Sequence, residues 1–181
     1  MTARALGASP HAMETYFILG GARSGKSARA QALAETLAPA RCYIATAEPF
    51  DAEMRARIAR HQAERGAGWT TLDAPLALSA AIAAETAPGR VCLVDCLTLW
   101  LSNLMHYEHD VESAAARLAE AVAAARGPLI LVSNEVGLGL VPETPLGRRF
   151  RDAQGRLNQR IAAICAHVEF LAAGLPLKLK G

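Results

Sequence analysis

The sequence predicts an α/β fold in which a mostly parallel sheet is flanked by helices. Two observations lead to this prediction. Short apolar runs that suit strands alternate with longer segments whose apolar residues recur at helical spacing. The strand-like runs also lack polar alternation, which is typical of parallel strands buried on both faces. Ligands of such sheets bind at the carboxyl ends of the strands, so the loops that follow strands are the places to search for function.

Six short apolar runs are the predicted strands. They are rich in the aliphatic, β-branched and aromatic residues that suit a pleated, buried surface. The runs lie at residues 16–19, 42–45, 91–94, 129–132, 168–171 and 175–179. The loops after the first four of these runs are the ones that we expect to carry the ligand site.

Five segments with helical character lie between these runs, and several begin at a residue that favours a helix start. Asp51 and Asp110 have side chains that can cap a helix. Thr144 is a cap with Pro145 in the first turn, and Pro75 suits the first turn of another helix. We expect the helices at about residues 27–37, 51–65, 75–87, 111–122 and 145–166.

Length and charge limit the class of protein. A chain of 181 residues suits one domain. Its 19 basic and 17 acidic residues give a formal net charge of +2, so electrostatics give no reason to expect nucleic acid or an anionic membrane as partner. No apolar run approaches the length of a membrane span, and the first fifteen residues lack the compact hydrophobic stretch of a secretory signal.

The four cysteines favour a reducing compartment. Cys42, Cys92, Cys96 and Cys165 form no CxxC pair, and their spacing matches no common zinc or redox signature. Two of them fall inside predicted strands, where a thiol packs as a small apolar group. We therefore expect free structural thiols and a cytoplasmic location.

A glycine-rich motif follows the first predicted strand. Its sequence, GGARSGKS at residues 20–27, fits G-x-x-x-x-G-K-[ST] in full. The glycines let backbone N–H groups point at phosphate oxygens, and the following helix adds its positive N-terminal end. The alternative is a chance glycine-rich turn, but the motif lies between a predicted strand and a predicted helix, as a P-loop requires. The predicted phosphate cradle comprises Gly20, Gly21, Ala22, Arg23, Ser24, Gly25, Lys26 and Ser27.

Individual side chains of this cradle have distinct expected roles. Lys26 can reach the β- and γ-phosphates, and the Ser27 hydroxyl can hold Mg²⁺. Asp95 directly follows the predicted strand 91–94, which is the position of a Walker B acid, so it is a second predicted Mg²⁺ ligand. An aspartate that merely caps a turn is the alternative for Asp95. Arg23 either touches phosphate or is solvated.

Two polar residues lie just beyond the end of the predicted strand 129–132. Asn134 and Glu135 would also face the nucleotide crevice, because the carboxyl ends of parallel strands meet at one edge of a sheet. An ordinary polar turn at a strand end is the alternative. Both possibilities stay open from the sequence.

One histidine lies in an unusual place for P-loop chemistry. His61 falls on the apolar face of the predicted helix 51–65, and Arg57, Arg60 and Arg65 flank it. A neutral imidazole is a nucleophile toward phosphorus, and nearby guanidiniums favour the neutral form while binding phosphates. From the residues alone, a packed core histidine is the more common explanation.

Several segments together resemble one family. They lie at residues 20–27, 43–47, 51–69, 94–104 and 132–162. They are similar to the bifunctional adenosylcobinamide kinase/adenosylcobinamide-phosphate guanylyltransferases of cobalamin biosynthesis. The resemblance extends from about residue 17 to residue 180, and its most specific parts are HQAER (61–65) and NEVGLGLVPE (134–143).

The resemblance implies a RecA-like P-loop fold and a two-step enzyme. Adenosylcobinamide is phosphorylated with ATP or GTP, and a histidine then takes GMP from GTP and passes it to adenosylcobinamide phosphate. The guanylylated histidine of the family falls on His61, which joins Lys26 as a predicted catalytic residue. The predicted nucleotide-binding residues outside the cradle are Ala45, Thr46, Ala47, Gln62, Ala63, Glu64, Arg65, Asp73 and Asp95.

The resemblance also implies the organisation and the ligands of the chain. We expect residues 16–181 to form one P-loop nucleotide-binding catalytic domain, preceded by a flexible extension at 1–15. Mg²⁺ is the expected cofactor, ATP and GTP are substrates, and a homotrimer is the expected assembly. Two other functions stay open: another small-molecule P-loop kinase without nucleotidyl transfer, and a nucleotide-gated RecA-like interaction module.

Overall fold

The computed structural model describes residues 14–49, 52, 55–56, 59, 65–66 and 68–181. Within these residues, seven strands form one sheet in the order β3-β2-β4-β5-β1-β6-β7. Strands β1 to β6 pair in parallel, and β7 pairs antiparallel with β6. The strands are β1 (Thr15–Gly20), β2 (Ala40–Ala45), β3 (Trp69–Asp73), β4 (Arg90–Asp95), β5 (Leu129–Asn134), β6 (His167–Ala172) and β7 (Leu175–Lys180).

Helices cover both faces of this sheet. They are α1 (Lys26–Leu37), α2 (Leu78–Glu85), α3 (Leu97–His106), α4 (Val111–Ala123) and α5 (Pro145–Ile164). Alternate residues of β1 pack in two different hydrophobic cores. Phe17 lies in the larger core with residues of α2 to α5, and Ile18 lies in the smaller core with residues of α1. The predicted α/β class with a mostly parallel sheet is confirmed.

Two of the predicted helix starts are confirmed by their caps. The backbone N–H groups of Glu112 and Ser113 donate to Asp110 Oδ1 over 3.0 and 3.2 Å at the start of α4. Thr144 Oγ1 accepts from the Gly147 N–H over 3.1 Å at the start of α5. These bonds satisfy N–H groups that have no partner inside the helix.

The predicted start of the helix after Pro75 is wrong, because α2 begins only at Leu78. The carbonyl oxygens of Pro75 and Leu76 accept bonds from Asn103 Nδ2 (3.1 Å) and Trp100 Nε1 (3.0 Å). Side chains of α3 thus donate hydrogen bonds to carbonyl groups that would accept bonds from backbone N–H groups of α2 if that helix began at Pro75.

Two elements were not predicted from the sequence. Strand β3 has exposed threonines and no buried residue, so it lacks the apolar signature of the other parallel strands. Helix α3 is rich in apolar residues, and only Cys96 separates it from the apolar strand β4, so the sequence gives no clear signal for where the strand ends and the helix begins. The predicted helix 51–65 and its Asp51 cap lie largely outside the described residues, although Ala52, Arg55, Ala56 and Ala59 are helical.

An ion pair fixes α1 on the sheet. Arg29 donates two hydrogen bonds to the Glu169 carboxylate of β6, from Nε over 2.8 Å and from Nη2 over 2.7 Å. The bonds from Arg29 hold the pKa of Glu169 below its usual value. Because α1 carries the end of the glycine-rich loop, this bidentate pair also helps to set the orientation of that loop.

The predicted flexible extension at 1–15 lies outside the described residues up to residue 13, and Thr15 belongs to β1. The remaining sequence expectations concern cysteines and membranes. All four cysteines are free and buried, as predicted. Over the described ranges, none of the helices combines the length and the apolar character that crossing a bilayer requires.

Candidate functional site

The glycine-rich loop joins β1 to α1 at the carboxyl edge of the sheet. Gly20 ends β1, and Gly25 adopts a left-handed conformation with φ of 97° directly before the helix. Lys26 is buried, and its Nζ donates to the carbonyl oxygen of Gly21 and lies 3.4 Å from Ser24 Oγ. The strand, loop and helix stand in the order that a P-loop requires, and the lysine amine lies across the loop itself.

The loop leaves no room for side chains at two of its glycines. A Cβ at Gly20 would lie 2.5 Å from the carbonyl oxygen of Leu171 and 2.6 Å from Ser24 Oγ. A Cβ at Gly25 would lie 3.2 Å from the Cα of Gly174, whose N–H donates to the Ser24 carbonyl over 2.9 Å. The turn between β6 and β7 therefore supports the loop from outside.

Alanine at Gly20 is expected to lower the free energy of unfolding by about 3 kcal/mol, because a backbone oxygen cannot move out of its way. Alanine at Gly21 meets nothing within 4 Å, so it is expected to change that free energy by less than about 1 kcal/mol. Urea unfolding of the two variants compares them directly. Equal midpoints for Gly20→Ala and the wild type would contradict the close approach to Leu171.

Two predicted carboxylates lie on the same edge of the sheet. Ala45 is in register with Asp95 of β4 on one side and with Asp73 of β3 on the other. Strand β5 separates β4 from β1, which puts Asp95 about 10 Å across the sheet from the end of the P-loop strand. Asp73 is exposed on the outer strand, and Asp95 is half-buried.

Asp95 and Ser27 suit a bound Mg²⁺. One carboxylate oxygen of Asp95, Oδ2, accepts a hydrogen bond from the Tyr43 hydroxyl over 3.1 Å, which leaves the other oxygen for a ligand. Ser27 lies in the first turn of α1 and is half-buried. Both groups are hard oxygen donors, and Mg²⁺ typically combines one or two such protein ligands with phosphate and water oxygens.

The predicted nucleotide-binding residue Thr46 is fully engaged inside the protein. Its hydroxyl donates to the Cys96 carbonyl over 2.7 Å and accepts from the Cys96 N–H over 2.8 Å. Its carbonyl accepts from Asn103 Nδ2 over 2.8 Å, and its N–H donates to the Asp95 carbonyl over 3.3 Å. Thr46 thus joins the ends of β2 and β4 and thereby fixes the neighbouring Ala45 and Ala47, which are half-buried.

Arg65 is brought to the Asp95 side of the site. Its guanidinium carbon lies 3.6 Å from the centroid of the Tyr43 ring, and its Nη2 donates to Thr71 Oγ1 over 3.3 Å. Burial and the nearby Asp95 charge raise the pKa of Tyr43 above its usual value, so its hydroxyl remains a donor at neutral pH. The predicted site residues His61, Gln62, Ala63 and Glu64 lie outside the described residues.

The end of β5 and the residue after it contact the P-loop strand directly. Gly20 is in register with Asn134, and the Glu135 N–H donates to the Gly20 carbonyl over 3.0 Å. Asn134 and Glu135 are half-buried at this edge of the sheet. In the loop itself, Arg23 is exposed with a φ of 55°, and Ala22 is also exposed.

A buried polar network beneath this edge was not predicted from the sequence. Ser133 Oγ donates to Asn158 Oδ1 over 2.8 Å and accepts from Gln154 Nε2 over 2.9 Å. The Asn134 N–H donates to Thr98 Oγ1, and its carbonyl accepts from Asn158 Nδ2. Two amides one helical turn apart on the buried face of α5 are the only sequence signal for this network. It ties α3 and α5 to the end of β5.

Comparison with known proteins identifies relatives over nearly the whole chain. The model of the family described as cobinamide kinase / cobinamide phosphate guanyltransferase matches residues 16–179. The bifunctional adenosylcobalamin biosynthesis protein CobP of Pseudomonas aeruginosa is 51% identical over 166 residues, which cover 91% of this chain and 96% of that protein. The corresponding protein CobU of Salmonella typhimurium is 38% identical over 178 residues, covering 90% and 98%.

Solved structures share the fold at much lower identity. The ATPase EscN of the type III secretion system of enteropathogenic Escherichia coli matches with a TM-score of 0.57 and 10% identity, over 90% of this chain and 43% of EscN. The protein PH0250 of Pyrococcus horikoshii matches with a TM-score of 0.52 and 10% identity, over 94% and 88%. These likenesses show the fold alone, and the first confirms that it is the fold of P-loop ATPases.

Proposed function

The chain belongs to the cobinamide kinase / cobinamide phosphate guanyltransferase family, and from that premise we propose that one nucleotide site at the carboxyl edge of the sheet serves both reactions. The chain is therefore a bifunctional transferase of cobalamin biosynthesis. One observation supports the shared site above all. The P-loop with Lys26 and the carboxylate of Asp95 lie at the carboxyl ends of β1 and β4, and the guanidinium of Arg65 stacks on Tyr43, whose hydroxyl contacts Asp95.

In the kinase step, the hydroxyl oxygen of the cobinamide side chain attacks the γ-phosphorus of ATP or GTP. The bond from that phosphorus to the β-phosphate oxygen breaks, the nucleoside diphosphate leaves, and the hydroxyl proton is released. Lys26 and the N–H groups of the loop would stabilise charge on the β- and γ-phosphate oxygens. When held by Ser27 and Asp95, Mg²⁺ would supply further charge neutralisation on those oxygens.

In the guanylyltransferase step, a ring nitrogen of His61 attacks the α-phosphorus of GTP, and pyrophosphate leaves. A phosphate oxygen of cobinamide phosphate then attacks the same phosphorus, the P–N bond breaks, and the histidine is restored. These two steps divide the transfer of GMP from GTP to cobinamide phosphate into two easier displacements. The family resemblance supports His61, and the placement of Arg65, four residues later in sequence, supports a nearby contact with GTP.

We extend the proposal to the remaining properties of the chain. Residues 20–27, Ala45, Ala47, 62–65, Asp73 and Asp95 would bind nucleotide, within one catalytic domain at 16–181. The buried Thr46, predicted as a binding residue, would instead act by fixing Ala45 and Ala47. The resemblance supports a homotrimer. Four free, buried cysteines support a cytoplasmic location. The near-balanced charge supports small molecules rather than nucleic acid as substrates.

Incubation with GTP labelled at the α-phosphate tests this function. We expect label that stays on the denatured protein, is lost in acid, persists in base and moves to cobinamide phosphate when that substrate is added. GTP labelled at the γ-phosphate is the matched control and should leave no label on the protein.

The outcomes separate the competing functions. Phosphorylation of cobinamide without any protein-bound label would leave only a small-molecule kinase. Slow nucleotide hydrolysis with no corrinoid product would instead indicate a nucleotide-gated interaction module.

A further inference from the structure

Tyr43 contacts both halves of the proposed site. It lies on β2, between β3 and β4, and its hydroxyl donates to Asp95 Oδ2 over 3.1 Å. Its ring lies 3.6 Å from the guanidinium carbon of Arg65 and meets the Trp69 ring edge-on, with centroids 6.3 Å apart. Tyr43 lies in the family-like segment 43–47, but neither the motifs nor the resemblance assigned a role to its side chain.

The hydroxyl of Tyr43 restricts the orientation of the Asp95 carboxylate. A carboxylate at a strand end rotates easily unless one of its oxygens is held. With Oδ2 bound to the tyrosine, the other oxygen remains for a ligand in the crevice. Functional groups held by a supporting hydrogen bond keep the productive geometry at a smaller entropic cost.

The ring of Tyr43 restricts Arg65 in a different way. A guanidinium stacked on an aromatic face loses little of its hydrogen-bonding capacity, because its N–H groups point outward in the plane. Thr71 Oγ1 accepts a hydrogen bond from Nη2 of Arg65. Nη1 of Arg65, in contrast, is buried without a hydrogen-bond partner among the described residues. A buried, unpartnered cationic N–H donor favours an anionic acceptor, and the phosphates of GTP are such acceptors.

We propose that Tyr43 is a positioning residue that orients the metal-binding carboxylate with its hydroxyl and the GTP-binding Arg65 with its ring. The inference rests on the proposed function and adds a residue through which the phosphate-metal side and the guanylylation side of the site are held together. Tyr43 itself touches neither nucleotide nor corrinoid. It acts through Asp95 and Arg65.

Two substitutions separate the two contacts. Tyr43→Phe removes the hydroxyl and keeps the ring, so the Mg²⁺ concentration for half-maximal phosphorylation should rise about tenfold, with GMP labelling at saturating Mg²⁺ near the wild-type rate. Tyr43→Leu removes both the hydroxyl and the aromatic ring that orients Arg65, so GMP labelling at saturating Mg²⁺ should also slow about tenfold. Titration of Mn²⁺ into the GDP complex, followed by electron paramagnetic resonance, should show the same loss of metal affinity without turnover.

Tyr107→Phe is the matched control. Tyr107 also donates to a carboxylate, Glu48 Oε1, over 3.1 Å, but no site residue is involved. This variant should keep the Mg²⁺ dependence and the labelling rate of the wild type. In an Asp95→Asn background, Tyr43→Phe should have no further effect on metal affinity, because its effect passes through that carboxylate.

The results distinguish failure of this inference from failure of the proposed function. Wild-type metal affinity in Tyr43→Phe would overturn the role of the hydroxyl, and equal labelling rates in the phenylalanine and leucine variants would overturn the role of the ring. The phenylalanine variant keeps the packing of the ring, so misfolding does not obscure the first result. If the wild type itself takes no label from GTP, the proposed function fails, and the Mn²⁺ titration still tests the link to Asp95.

Discussion

Replacement of His61 by asparagine is expected to abolish covalent GMP labelling while cobinamide phosphorylation stays within about threefold of the wild-type rate. Asparagine is polar and of similar size, but the lone pair of its amide nitrogen is delocalised, so it cannot attack phosphorus. The kinase step uses the P-loop and needs no histidine nucleophile. The two activities should therefore separate in a single variant, measured with α-labelled GTP and with γ-labelled ATP plus cobinamide.

His109→Asn is the control for this experiment. His109 is an exposed histidine in the segment before α4 and is not among the residues assigned to nucleotide binding. It should label as the wild type does. Acid-labile GMP on the His61→Asn protein would move the nucleophile elsewhere, and loss of the kinase reaction as well would indicate that His61 also supports the phosphate site.

Replacement of Lys26 by alanine is expected to lower both reactions by about 10² to 10³-fold, which is the usual loss when one charge-stabilising donor is removed from a reacting phosphate. Lys26 is buried at the start of α1, with its amine held between Gly21 and Ser24 inside the loop. It is therefore preorganised to meet phosphate oxygens without a large movement. Steady-state phosphorylation and single-turnover GMP labelling measure the two losses.

A surface lysine provides the comparison for this variant. Lys178 lies on the exposed strand β7, and Lys178→Ala should keep both rates. Far-ultraviolet circular dichroism of the Lys26→Ala protein should match the wild type. A loss confined to one of the two reactions would show that they use separate phosphate sites and would contradict the shared site.

Local sequence signals predicted the parts of the fold that depend on near neighbours. The apolar run at 16–19, the position of the glycine motif between a strand and a helix, and the caps at Asp110 and Thr144 each involve residues close together in sequence. The structure confirms these features of the fold. The family resemblance then added predicted site residues that no local pattern indicates. His61 is the main example, because its residue type and helix position alone favour a packing role.

Contacts between distant segments explain what the sequence did not predict. The helix after Pro75 starts late because side chains of α3, more than twenty residues away, bind its first carbonyls. The bond from Tyr43 to Asp95 spans 52 positions, and that from Thr46 to Cys96 spans 50. Such pairings depend on strand order, which residue periodicity does not reveal.

The support that the β6–β7 turn gives to the P-loop has a consequence for biosynthesis of the chain. The loop leaves the ribosome early, but the Gly174 N–H that holds Ser24 and the Glu169 carboxylate that holds Arg29 follow much later, the latter 140 residues downstream. Nascent chains emerge from the N-terminus onward, and contacts between such distant residues form slowly. Nucleotide is therefore expected to assist the last stage of folding, after β6 and the turn have been translated, and to give a shorter nascent chain no protection from proteases.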